Sequence, residues 1–117
     1  MSIRPLVAAL LLTVAVAPLA ADAREDAKKQ VEFGIGVAQK NLWREAIFWW
    51  ERAAKTDPTY AAAYNNLGIA YEHEGDLDKA RVSYEKALEL EPDNTYIKQN
   101  YELFKEINDR TSRDNGR

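Results

Sequence analysis

Cysteine is absent from the 117 residues, so disulfides, thiolate zinc sites, thiol nucleophiles and lipid-modified cysteine are all excluded. A single histidine excludes multi-histidine metal cages. Five glycines and four prolines are too few for a collagen-like or low-complexity chain. The 16 basic residues are outnumbered by 19 acidic ones, giving a net charge of −3. A general nucleic-acid binder needs a basic face to displace counterions from phosphates, so none is expected here. At this length the chain can build one small domain at most.

What is present is unevenly distributed. Met1–Pro5 carries one charge, Arg4, and Leu6–Val16 is an apolar run followed by Pro18 and Ala21-Asp22-Ala23. A short basic start, an apolar core and a small-x-small site describe a secretory signal peptide, residues 1–23, cut after Ala23. A membrane span needs about 20 apolar residues. This run is shorter and broken at Pro18, so membrane attachment follows only if the segment is retained. The short n-region and alanine-rich core are in the bacterial style, which places the product in the periplasm or outside the cell. Without cysteine, its stability has to come from packing.

From Ala27 onward the chain repeats. A shift of 34 residues overlays Ala27/Ala61, Gly34/Gly68, Ile35/Ile69, Ala46/Ala80, Glu51/Glu85, Ala53/Ala87 and Pro58/Pro92. Phe33/Leu67, Trp43/Leu77 and Trp50/Tyr84 are conservative matches at the same offset. Within each unit the apolar residues step by three and four, as on one face of a helix. Gly75-Asp76 supplies a turn residue and a cap, and Glu91-Pro92 ends the second helix. Lys40-Asn41 and Asp57-Pro58 do the same in the first unit. No β-branched alternation occurs, so the domain is all-α.

Large apolar, Gly, aromatic, then Ala, aromatic, Ala and Pro at these intervals resembles the tetratricopeptide repeat. The second unit, NNLGIAYEHEGDLDKARVSYEKALELEPDN, is similar to that family over its whole length. The resemblance implies helical hairpins at 27–60 and 61–94, a capping helix at 95–110 and a flexible tail at 111–117. It implies a repeat core of Phe33, Gly34, Ala46, Trp50, Ala53 and Pro58, then Leu67, Gly68, Tyr71, Ala80, Tyr84, Ala87 and Pro92. The first unit departs from the pattern, with Gln30, Val37 and Asn41 in the slots of Tyr64, Tyr71 and Gly75. Glu102 takes the slot of Gly68 in the tail, which bars a tightly packed partner helix there.

Several residues invite a chemical reading. Glu72, His73 and Glu74, with Asp76 and Asp78, offer carboxylates and an imidazole to a cation or to acid–base work. Successive helix residues point about 100° apart, so the first three do not converge. Ser83 and Ser112 lack a nucleophile setting, and Gly34-Ile35-Gly36 lies in a helical stripe without a phosphate-loop lysine. No catalytic residue, cofactor or metal is therefore assigned.

Binding is better supported. The helical wheel places Val31, Ile35 and Gln39, with Asn65, Asn66, Ile69, Glu72 and His73, on the concave face. Some tetratricopeptide domains clamp a peptide carboxylate with lysines and asparagines; of such positions only Asn66 fits here. Phe48 and Trp49 stand where the second unit has Val82 and Ser83, and two adjacent rings cannot both turn inward beside Trp50. They either pack on a neighbouring helix or form a hot spot for a partner or a second copy. The resemblance implies a non-catalytic scaffold or adaptor of the cell envelope that binds a protein or peptide.

Overall fold

The computed structural model describes residue 2 and residues 16–116. Most of the apolar run behind the signal-peptide reading lies outside them. The described residues form five helices and no strand: α1 Val16–Gln39, α2 Trp43–Thr56, α3 Ala61–Glu74, α4 Leu77–Leu90 and α5 Thr95–Asn115. Short connections make α1/α2 and α3/α4 hairpins, with α2 against α3 and α5 against α4.

The turns arise where the sequence places them. Asn41 adopts φ 64° and Gly75 φ 75°, the left-handed conformation that asparagine and glycine tolerate best. The Gly75 and Asp76 amides then donate to the last carbonyls of α3, and Asp76 caps α4 by accepting from the Lys79 amide at 3.3 Å. Asn94 caps α5 through the amides of Tyr96 and Ile97.

Small residues set the helix spacing. A Cβ placed on Gly68 would stand 2.7 Å from Cε1 of Tyr84, and one on Gly34 would stand 2.7 Å from Cδ1 of Trp50. Each hairpin therefore closes by laying an aromatic ring across a glycine. Ala46, Trp50 and Ala53 of α2 bury with Ala27 and Val31 of α1 and Ala63, Leu67 and Ala70 of α3. Ala80, Tyr84 and Phe104 repeat the arrangement between α4 and α5. Trp50 also donates from Nε1 to the Val31 carbonyl at 3.0 Å, satisfying its polar edge.

Some positions differ from the sequence reading. Phe33 is 54% exposed, although Leu67 in the matching slot is buried. One residue from Gly34 is about 100° around the helix, and no described helix covers that side. Pro58 and Pro92 are exposed rather than core, because they sit in turns, where their preset φ is the useful property. Tyr71 is only half-buried. Pro18 lies within α1, Val16–Gln39, and does not break the helix there. Helix α5 continues through the segment read as a flexible tail, to Asn115. Arg110 pairs with Glu106, and Thr111 Oγ1 donates to the Ile107 carbonyl at 3.0 Å, before Gly116 stops it.

Candidate functional site

Where α1 and α3 diverge above α2, a groove of about 330 Å³ opens. Ile35, Ala38 and Gln39 of α1 form one wall, Asn66 and Ile69 of α3 the other, and Trp43 and Trp50 the base. The helices separate there because α2 inserts its tryptophans between them. The lining is mostly apolar, with two side-chain amides at the edge. Asn66 Nδ2 donates to the Ala62 carbonyl at 2.9 Å, while its Oδ1 makes no hydrogen bond among the described residues. Trp43 is held in place by His73, whose ring stacks on it at 3.7 Å and 11°, and by its Nε1–H donating to Asn41 Oδ1 at 2.9 Å. An apolar trough with a fixed aromatic wall and a free amide acceptor suits a peptide segment: side chains bury, and a backbone amide reaches Asn66.

The second half of this face continues across α3. Ile69, Glu72 and His73 line a smaller depression of about 200 Å³. Glu72 Oε2 accepts from the Tyr84 hydroxyl, and Glu74 pairs with Arg44 at 3.4 Å. Glu72, His73 and Glu74 thus turn to three different partners. Burial, then the hydrogen bond to Glu72, pushes the Tyr84 phenol up, so it stays a donor. The Tyr71 phenol is pushed up in the same way, by burial and by donation to Glu51 at 2.6 Å. A wider depression of about 660 Å³ on α5 is a solvated charged face, lined by Lys98, Glu102, Lys105, Glu106 and Asp109 beside Leu103.

Two family models match within these helices: "Tetratricopeptide repeat" over residues 61–94 and "TPR repeat" over residues 38–75. The chain belongs to the tetratricopeptide-repeat family. It is similar to the probable UDP-N-acetylglucosamine--peptide N-acetylglucosaminyltransferase SPINDLY of Solanum lycopersicum, 44% identical over 53% of this chain and 7% of that protein. It is also similar to the chloroplastic tetratricopeptide repeat domain-containing protein PYG7 of Arabidopsis thaliana, 30% identical over 62% of this chain and 24% of that one. Heat shock protein STI1 of Saccharomyces cerevisiae is 44% identical over 38% of this chain and 8% of its own length. The chain thus spans less than a quarter of each of these relatives. Tetratricopeptide repeats are in general protein–protein interaction modules, and the family's repeat portion is not itself catalytic.

Within the tetratricopeptide fold, the residues assigned to the concave face divide. Ile35, Gln39, Asn66 and Ile69 come together in the groove, with His73 behind Trp43. Val31 and Asn65 do not reach it: both are buried, at 4% and 3% exposure. Each lies three residues before the glycine that touches the aromatic ring, and residues three apart share a helix face. Asn65 instead accepts at Oδ1 from Asn100 Nδ2 at 3.1 Å, tying α3 to α5. Trp50, expected in the repeat core, and Trp43, in the slot of Leu77, both line the groove as well. Leu103 and Ile107, both exposed, hold the slots of Ile69 and His73 one repeat further on, so the 34-residue offset already pointed to them.

Phe48 is 56% exposed, and Trp49 is half-buried. Trp49 leans on Phe33 of α1 at 4.5 Å between ring centroids, and Phe48 stands edge-on to it at 5.5 Å. Part of Trp49 is therefore satisfied within the chain, and the rest of the cluster faces outward.

Proposed function

We propose that this tetratricopeptide-repeat chain is a non-catalytic adaptor that holds a protein partner by a peptide segment laid in the α1–α3 groove. The groove carries the reading. It gathers Ile35, Trp43, Asn66 and Ile69 from three helices; Trp43 and Ile69 pack against the core, and Asn66 is fixed by its hydrogen bond to Ala62. Its wall is apolar and its amide acceptor is free, which favours an apolar side chain flanked by an unpaired backbone amide. Carboxylate clamping is disfavoured, since no lysine or arginine lines the groove.

The setting we infer is the cell envelope, as a scaffold or assembly factor exported by the signal peptide and released after Ala23. Residues 20–22 are exposed and the first buried residue described is Ala27, so cleavage there removes nothing from the described core. Transferase activity is not carried over from SPINDLY, because the similarity touches 7% of that protein.

The test is affinity capture from envelope extracts with the wild-type chain and with Ile69→Glu, which puts a charge on the groove wall. The reading expects a partner retained by the wild type and lost by the variant, with unchanged helicity. Equal retention by both would refute the groove.

A further inference from the structure

On the outer side of the first hairpin, no described helix completes the repeat pattern. Leu67 of α3 is 5% exposed because it buries with Ala46, Trp50 and Ala53 of α2. Phe33 holds the same slot on α1, and no described helix covers it. Gly36, in the slot of the fully buried Ala70, has open space where a Cβ would stand. Phe33, Trp49 and Phe48 therefore form one aromatic patch on a surface built for helix stacking. The groove uses another side of α1: Ile35 lies two residues beyond Phe33, about 200° around the helix.

The charges beside the patch point to what covers it. Glu45 and Arg52 flank the Phe48–Trp49 pair on α2, the one three residues before it and the other three after. Seven residues apart, they lie on one face two turns from each other. Both are exposed, and neither enters an ion pair among the described residues. The Arg52 guanidinium sits 5.7 Å from the centre of the Trp49 ring. An antiparallel crossing of two α2 helices, centred between Phe48 and Trp49, sets Glu45 of each copy opposite Arg52 of the other. Such self-complementarity is what a two-fold axis requires.

We propose that two copies of this chain associate through α2, with Phe33, Phe48 and Trp49 at the two-fold axis and reciprocal Glu45–Arg52 pairs around it. An end-to-end arrangement is disfavoured. It would set the rings against the open side of α5, where Glu102 replaces the glycine of the earlier unit and Lys98 and Lys105 stand beside it. The dimer leaves both grooves open.

Sedimentation equilibrium on the purified protein tests this with Glu45→Arg, Arg52→Glu and the double exchange. Both substitutions are at exposed positions, and circular dichroism verifies that each of the three variants is folded. The wild type is expected to dimerise. Either single reversal should weaken the dimer about tenfold or more, because the two-fold axis creates two like-charge contacts at once. The double exchange should restore it. A wild type that stays monomeric overturns the proposal, as does a double exchange no stronger than the singles. A monomer that co-sediments with anionic phospholipid vesicles would assign the patch to a membrane surface, and that also overturns it.

Discussion

Tyr84 of α4 lies across Gly68 of α3, with ring carbons 2.7 to 2.8 Å from where a Cβ would stand and its hydroxyl donated to Glu72, one turn along α3. The hairpin is closed at one place by shape and by a hydrogen bond together.

Gly68→Ala should therefore destabilise the protein even though alanine is the better helix former. The propensity gain is about 1 kcal/mol, whereas overpacking a rigid buried ring costs about 1–3 kcal/mol. Gly36→Ala is the control, with nothing within 4 Å of the added carbon, and should gain up to about 1 kcal/mol. Thermal melts of the two variants should move in opposite directions. A shift of the same sign in both would show that the ring contact does not set the spacing.

Asn65→Ala should loosen the C-terminal helix first. It removes the acceptor for Asn100 and leaves a gap at a buried position, a loss of about 1–2 kcal/mol. Hydrogen exchange should rise in α5 more than in α2. Equal rises would mean that the pair does not tether α5.

Arg24 Nε donates to Asp57 Oδ2 at 2.6 Å, and Thr59 donates to the other oxygen from its hydroxyl and its amide. Burial works to raise the Asp57 carboxyl, but the hydrogen bonds from Thr59 and Arg24 outweigh it and hold the group below its ordinary 3.8. A depressed carboxyl contributes stability that is present above its unfolded value and lost as pH falls through the folded one. Arg24→Gln should lower the melting temperature at neutral pH, and the difference from wild type should shrink as pH drops below about 4. A difference independent of pH would contradict the role of the pair.

The hairpins were legible because a glycine, an aromatic and two alanines recur at one spacing, and that spacing fixes which faces meet. The ends of the array were not. Phe33 matches Leu67 in sequence and differs in burial because the repeat rule assumes a neighbour that α1 does not have among the described residues. Val31 and Asn65 fall on the open face of the helical wheel, but each lies three residues before Gly34 or Gly68 and so shares the packed face. Trp43 was legible as an aromatic but not as a groove wall, since its stack on His73 depends on how α2 meets α3. Exposure of Phe48 follows from its adjacency to Trp49 and Trp50; the support that Phe33 gives Trp49 crosses two helices and needed the structure.

Export makes a sharp claim about the first residue. Intact-mass measurement of the protein from a periplasmic fraction should give Arg24 as the N-terminus, following Ala21-Asp22-Ala23. A mass that includes Met1, or retention with the inner membrane, would contradict it and favour the anchored form.

The central claim is that the α1–α3 groove is where a partner sits, and site-specific photo-crosslinking in cells tests it most directly. A photoreactive residue replacing Ile69, on the groove wall, is compared with one replacing Val82, exposed on α4 away from it. The account predicts one discrete heavier adduct from position 69, and none of that mass from position 82. An adduct of equal yield from both positions, or from position 82 alone, would contradict it.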